Sequence, residues 1–158
     1  MIETNLGRKR KLVPILMAED DEDDRLLAED AFIESRLTNP LFFVEDGEEL
    51  LDYLYHRGRY TDSEKFPLPG LILLDLNMPR KDGREALKEI KEDANLRHIP
   101  IVVLTTSKEE EDILRSYSLG VSSFIVKPVT FEQLVEVIKY IGHYWLEIVT
   151  LPHEQYRI

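Results

Sequence analysis

The sequence contains no cysteine, so it carries no disulfide and no thiolate ligand for zinc, and nothing in it asks for an oxidising compartment. It has no long apolar run either. No stretch approaches the ~20 residues that cross a bilayer, and residues 1–12 lack the apolar core of a secretory leader. Basic charge is scarce: 20 Lys and Arg stand against 31 Asp and Glu, for a formal net charge of −11. That balance argues against nucleic acid as a partner, because binders of the phosphate backbone present a basic stripe. The one basic run, Arg8-Lys9-Arg10-Lys11, reads as a solvated arm. Repeats, low-complexity segments and Gly/Ser linkers are missing too. The absences leave a soluble cytoplasmic protein with neither membrane nor nucleic acid as partner, and 158 residues make one domain with a sizeable core.

What is present is a series of short apolar runs that end in polar residues. The central one is Leu71-Ile72-Leu73-Leu74, which passes without a break into Asp75. A run this short and unbroken reads as a parallel strand covered on both faces. Val13–Ala18 is a second strand, ending in Glu19-Asp20-Asp21; Leu41–Val44, Ile101–Leu104 and Ser123–Val126 are three more, the last two running into Thr105 and Lys127. Between them lie helical patterns. Leu27, Ala28, Ala31 and Phe32 mark one helix, and Leu50, Leu51 and Leu54 a second, with Asp46 and Glu49 as its capping box. Ala86, Leu87, Ile90 and Ala94 mark a third, after a turn at Pro79 and Asp82-Gly83. Ile113, Leu114 and Tyr117 mark a fourth, capped by Ser107 and Glu110 and ended by Gly120. The fifth is capped by Thr130 and Gln133 and carries Leu134, Ile138, Ile141, Trp145 and Ile148. Residues 57–69 form a long loop. Five strands alternating with five helices imply an α/β doubly wound parallel sheet, order 2-1-3-4-5, with right-handed crossovers.

Such a sheet gathers Glu19, Asp20, Asp21, Asp75, Thr105 and Lys127 at the carboxyl ends of its strands, where open α/β sheets bind ligands. Asp75 could still be no more than the start of a turn before Pro79; the convergence is what favours chemistry. Strands ~4.8 Å apart set Glu19 and Asp20 on one side of Asp75 and Thr105 on the other, and the long stem of Lys127 reaches back from one strand further. Crowded carboxylates need a cation among them. Oxygen ligands with no His or Cys suit Mg²⁺ before Zn²⁺, with Mn²⁺ as a substitute. A carboxylate held by a metal beside an ammonium and a hydroxyl is arranged to attack a phosphoryl group, giving an aspartyl-phosphate on Asp75.

The segments Ala18-Glu19-Asp20-Asp21, Leu74-Asp75-Leu76-Asn77-Met78-Pro79 with Asp82-Gly83, Val103-Leu104-Thr105-Thr106 and Phe124-Ile125-Val126-Lys127-Pro128 resemble the receiver domain of two-component response regulators over roughly residues 12–142. The resemblance implies a flavodoxin-like fold and a phosphoacceptor switch rather than an enzyme in the usual sense. By it, Asp75 accepts phosphate from a sensor histidine kinase, and Glu19, Asp20, Asp75 and the backbone carbonyl of Asn77 hold Mg²⁺. Thr105 and Phe124 switch together, and Lys127 pairs with the phosphoryl oxygens. Asn77 and Ser107 tune the lifetime of the phosphate. Asp21 reads as a helix N-cap instead of a ligand. At Lys127-Pro128 the proline makes a cis bond accessible.

The last helix, read from Phe131 to about Val149, would span ~28 Å at 1.5 Å per residue, against ~17 Å for a five-residue strand. Its overhanging turns carry Tyr144, Trp145, Ile148 and Val149, a patch that reads as an interface, the alternative being a tail folded back on its own domain. The ending Tyr144–Pro152 and the loop 57–69 resemble the single-domain receivers paired with cyanobacterial phytochromes, which implies a phytochrome-type kinase and a homodimer through the last helix and its extension. The organisation expected is an arm at 1–11, the receiver at 12–142 and an extension at 143–158. Three other readings fit less well. A haloacid-dehalogenase-type hydrolase needs an aspartate at position 77, where Asn77 stands. A degenerate receiver would lack one of the site residues, and a histidine phosphotransfer protein would need an exposed histidine on a helical bundle, whereas His56, His98, His143 and His153 lie in scattered contexts.

Overall fold

The computed structural model describes residues 12–106 and 109–148. The elements are β1 (Ile15–Ala18), α1 (Glu22–Glu34), β2 (Leu41–Val44), α2 (Gly47–Leu54), β3 (Leu71–Leu74), α3 (Gly83–Glu92), β4 (Ile101–Thr105), α4 (Glu110–Ser118), β5 (Ser123–Val126) and α5 (Phe131–Ile141). The five strands are all parallel, in the order β2-β1-β3-β4-β5, as the alternation of runs and helices requires. β1, β3 and β4 are buried throughout, which explains their unbroken apolar sequences, whereas β2 and β5, at the edges, are half-exposed.

Side chains alternate across the sheet and divide the core in two. Leu16, Ala18, Ile72, Leu74 and Val103 pack with Leu50, Leu54, Ala86, Leu87 and Ile90 from α2 and α3. Ile15, Met17, Leu71, Leu73, Val102 and Leu104 pack on the other face with Ala28, Ala31, Phe32, Val135, Ile138 and Ile141 from α1 and α5. Leu27 and Ala94 depart from the sequence reading. Leu27 is exposed on α1, and Ala94 lies past the end of α3, exposed, while Leu96 beyond it is buried.

Four helices start on a side-chain cap. Asp21 accepts from the Asp24 N–H, Asp46 from Glu49, Asp82 from Arg84 and Glu85, and Thr130 from Gln133. The Glu49 carboxylate does not return the bond to Asp46; it accepts from the Glu45 N–H at 3.3 Å and from Tyr60 and Arg59 in the 57–69 loop, which contains a 3₁₀ turn at Gly58–Tyr60. α4 differs from the other four. It begins at Glu110 with Glu109 in the cap position and no side-chain cap bond; Ser107, the expected cap, lies outside the described residues. Gly120, at φ 91°, takes the left-handed turn after α4 that favours glycine. Tyr117, read as part of the apolar face of α4, is half-exposed instead, and its hydroxyl accepts from the Phe124 N–H at 3.1 Å.

The last helix is not one straight α-helix. The helical path runs from Phe131 to Ile148, but after Ile141 it widens into a π-helical segment, Gly142–Ile148. Trp145 and Leu146 turn back onto the α1/α5 core instead of overhanging it. Tyr144 is 40% exposed and stacks on Tyr140, with ring centroids 5.9 Å apart and planes at 4°. Val149 and the tail to residue 158, like the arm at 1–11, lie outside the described residues.

The loop between β3 and α3 is pinned on two sides. Arg80 holds a left-handed φ of 59° and pairs with the buried Asp46, and the Gly47 N–H donates to the Lys81 carbonyl at 2.7 Å. Gly83 opens α3 against the back of the strand: a β-carbon there would collide with the Asp75 carbonyl oxygen and lie 2.7 Å from the Leu76 Cα. Gly83→Ala is therefore expected to destabilise the domain by about 1–3 kcal/mol, the usual cost of overpacking. Urea unfolding measures this, and a loss near zero would mean that α3 moves away from β3 freely.

Candidate functional site

Register assembles the site. Ala18 pairs with Leu74, so the next residues, Glu19 and Asp75, emerge side by side; the Asp75 N–H donates to the Ala18 carbonyl at 3.1 Å. Thr105 pairs with Val126, and the Lys127 N–H donates to the Thr105 carbonyl at 2.7 Å. By the same alternation that divides the core, Glu19, Asp75 and Lys127 continue the face of Met17, Leu73 and Ile125. Two carboxylates and an ammonium thus leave the sheet on one side.

Asp75 is 5% exposed, and both its oxygens are engaged. Oδ1 accepts from the Asn77 N–H at 2.9 Å and from the Thr105 hydroxyl at 2.8 Å. Oδ2 faces the Lys127 ammonium at 3.2 Å. The same ammonium pairs with Glu19 and, at 2.9 Å, with Asp24. Glu19 also accepts from the Asp21 N–H at 3.2 Å, and its carbonyl receives the Arg25 guanidinium at 2.9 Å. Asn77 stands over the opening, its Nδ2 at 3.3 Å from Thr105 Oγ1. Phe124 is half-buried against the α2/α3 core. No peptide bond among the described residues is cis, so Lys127–Pro128 is trans.

Burial pushes the Glu19 carboxyl up, to about 7, against the pull of Lys127 and with the help of the neighbouring Asp75 charge. Burial works against the Lys127 ammonium as well, but the three carboxylates outweigh it and hold the group charged above the ordinary lysine range. Oxygens of Glu19, Asp20 and Asp75 lie within 4.8 Å of one another, with Asp20 on the exposed side. A set of carboxylate oxygens open to water on one side fits a hard divalent cation such as Mg²⁺ or Mn²⁺.

The sequence-predicted residues Glu19, Asp20, Asp75, Asn77, Thr105 and Lys127 thus come together, and Asp21 serves as the cap of α1. Two residues escaped the sequence reading. Asp24, one helical turn after Asp20, gives Lys127 a third carboxylate. Arg84, next to Gly83, grips the buried Asp112 of α4 through two bonds, at 2.7 and 2.6 Å. The first stands in an acidic first turn, Glu22-Asp23-Asp24, which suits any helix N-terminus and gave no sign of Lys127. No local pattern marks the second, since its partners are 28 residues apart.

The chain matches the response regulator receiver domain over residues 15–139. It is 42% identical to the response regulator Rcp1 of a Synechocystis species over 138 residues, which is 87% of this chain and 92% of that protein. Among solved structures it is similar to the phosphorylated cyanobacterial phytochrome response regulator RcpA, at 42% identity and a TM-score of 0.83, covering 90% of this chain and 99% of that one. It is similar also to the Mn²⁺-bound form of Rcp1, at 41% identity and a TM-score of 0.80, covering 89% and 99%. Among the described residues no helix is long and apolar enough to cross a membrane. A parallel sheet in the order 2-1-3-4-5, an acidic cluster fit for a divalent cation and a match that runs from β1 to α5 place the chain in the response regulator receiver family, related to the phytochrome-linked regulators.

Proposed function

We propose that Asp75 is the phosphoacceptor of a two-component switch, loaded by a sensor histidine kinase. The observation that carries this is the engagement of Asp75: a buried carboxylate with a hydroxyl at one oxygen, an ammonium at the other and two further carboxylates within 4.8 Å. In the reaction an Asp75 oxygen bonds to phosphorus as the bond from phosphorus to the kinase histidine nitrogen breaks, and the electron pair leaves with the nitrogen. Lys127 and Thr105 then exchange contacts with Asp75 for contacts with the phosphoryl oxygens, where charge builds. Glu19, Asp20, Asp75 and the Asn77 carbonyl would hold Mg²⁺, which supplies countercharge to the same oxygens. The movement of Thr105 is passed to Phe124, which lies half-buried on the adjoining strand.

The likeness to RcpA supports a phytochrome-type kinase as the partner. The proposed output is a homodimer through the last helix and tail, residues 143–158, with the receiver proper at 12–142. Within this surface Tyr144, stacked on the exposed Tyr140, is a contact, and Trp145 contributes from its half-buried position; Ile148 and Val149 are assigned to it from the sequence alone.

Intact-mass spectrometry after incubation with acetyl phosphate tests the acceptor. One hydroxylamine-labile phosphoryl group should appear with Mg²⁺ and be absent without Mg²⁺ and in Asp75→Asn. Uptake by Asp75→Asn would move the acceptor elsewhere. Sedimentation of the same samples reads the dimer, which Tyr144→Ala should weaken.

The raised Glu19 carboxyl makes Mg²⁺ affinity depend on pH with a definite sign. Below about 7 the metal-free protein holds a proton on Glu19, which must leave before the carboxylate can ligate, so affinity falls as pH drops, by up to about tenfold per unit. Calorimetry in buffers of different ionisation enthalpy should find about one proton released per Mg²⁺ near pH ~6 and almost none near pH ~8. Equal release at both would place the Glu19 carboxyl in the ordinary range.

A further inference from the structure

We propose that Arg84 is a positioning residue for the acceptor site: it fixes which end of the Asn77 side-chain amide faces Asp75, and so lengthens the life of the phosphoryl group. The proposal rests on Asp75 being the acceptor.

Arg84 is the second residue of α3, and its fork is committed to α4, with Nε on Asp112 Oδ1 at 2.7 Å and Nη2 on Oδ2 at 2.6 Å. Asp112 is buried, so the pair is a fixed point rather than a mobile surface bridge. From that point Nη1 reaches the Leu76 carbonyl at 3.3 Å and lies 3.6 Å from Asp82. Nη2 reaches Asn77 Oδ1 at 3.4 Å. A guanidinium has donors only, so the end of the amide that it meets must be the oxygen. The other end, Nδ2, is thereby turned to Thr105 Oγ1 at 3.3 Å and Thr106 Oγ1 at 3.5 Å. Thr105 in turn donates to Asp75. An unbroken line of polar contacts leads from a helix on the far side of the loop to the acceptor carboxylate.

The orientation matters because the two ends of an amide act oppositely on hydrolysis. The phosphoryl group is lost when a water oxygen bonds to phosphorus and the bond from phosphorus to the Asp75 oxygen breaks. The electron pair stays on the carboxylate, and the water proton passes to solvent, leaving inorganic phosphate. A carbonyl oxygen at the mouth of the site would accept a hydrogen bond from that water and aim it. An NH₂ group cannot, and donates to the phosphoryl oxygens instead. Arg84 keeps the donor end inward.

Removing Arg84 alone would take the guanidinium from a buried carboxylate, a change that can unfold a domain. The variants are therefore Arg84→Met combined with Asp112→Leu, and Arg84→Lys, which keeps a charge beside Asp112 but has no planar fork to serve both residues. Each is made with Asn77 and with Asn77→Ala, checked by urea unfolding, loaded with acetyl phosphate and Mg²⁺, stripped of the donor and followed by intact mass. With Asn77 present, both should lose phosphate about fivefold faster than the parent, the effect of one hydrogen bond. With Asn77→Ala, neither should differ from its parent. Decay at the parental rate with Asn77 present, or equal acceleration in both backgrounds, would overturn the role of Arg84. A wild-type chain that takes up no phosphoryl group would instead overturn the reading of Asp75, and the inference with it.

Discussion

Everything at the open edge of the sheet depends on one ammonium set among three carboxylates. Register forces Glu19 and Asp75 into adjacency, and both are buried, so their charges would raise each other's cost without a cation between them. Lys127 meets that need from two strands away, and Asp24 brings a third carboxylate to it from the first turn of α1. The arrangement ties β1, β3, β5 and α1 together at one point. It also means that Asp75, the proposed acceptor, is held by the groups that would stabilise a phosphoryl group on it, so that little would have to be reorganised as charge develops there.

Rigidity is distributed unevenly around this point. On one side the loop after β3 is fastened to the start of α2 by Arg80, Asp46, Gly47 and Lys81, and α3 sits so close to Asp75 that only glycine fits at position 83. On the other side Thr105 hangs from β4 by its backbone and meets Asp75 through a single hydroxyl.

The fold was legible because its central strands are buried on both faces, which leaves short apolar runs whose length and flanking turn residues mark them as strands. The polar residues ending those runs were legible for the same reason, since Glu19, Asp75, Thr105 and Lys127 break the apolar pattern at the carboxyl ends of the strands although they stay largely buried. Caps at Asp21, Asp46 and Thr130 were local and readable. Pairings between distant surface charges were not. Arg84 and Asp112 look like any other charges on solvated faces until α3 and α4 are brought together. At the end of the last helix the extension was legible but its kind was not. Residues spaced four and three apart fit an α-helix, and no side-chain pattern distinguishes i→i+4 from i→i+5 bonding, so the π-helical segment that folds Trp145 inward was invisible.

The helices of the domain differ in how their first turns are held. Four helices begin on an aspartate or threonine worth about 1 kcal/mol each. α4 begins on Glu109 with no such bond, and it follows the strand that ends in Thr105. Its first turn is held instead by Asp112, whose buried carboxylate takes both arms of the Arg84 fork from α3. The start of α4 is thus fastened to a neighbouring helix where the others are fastened to their own caps, so that a shift of α3 or α4 is felt by the other.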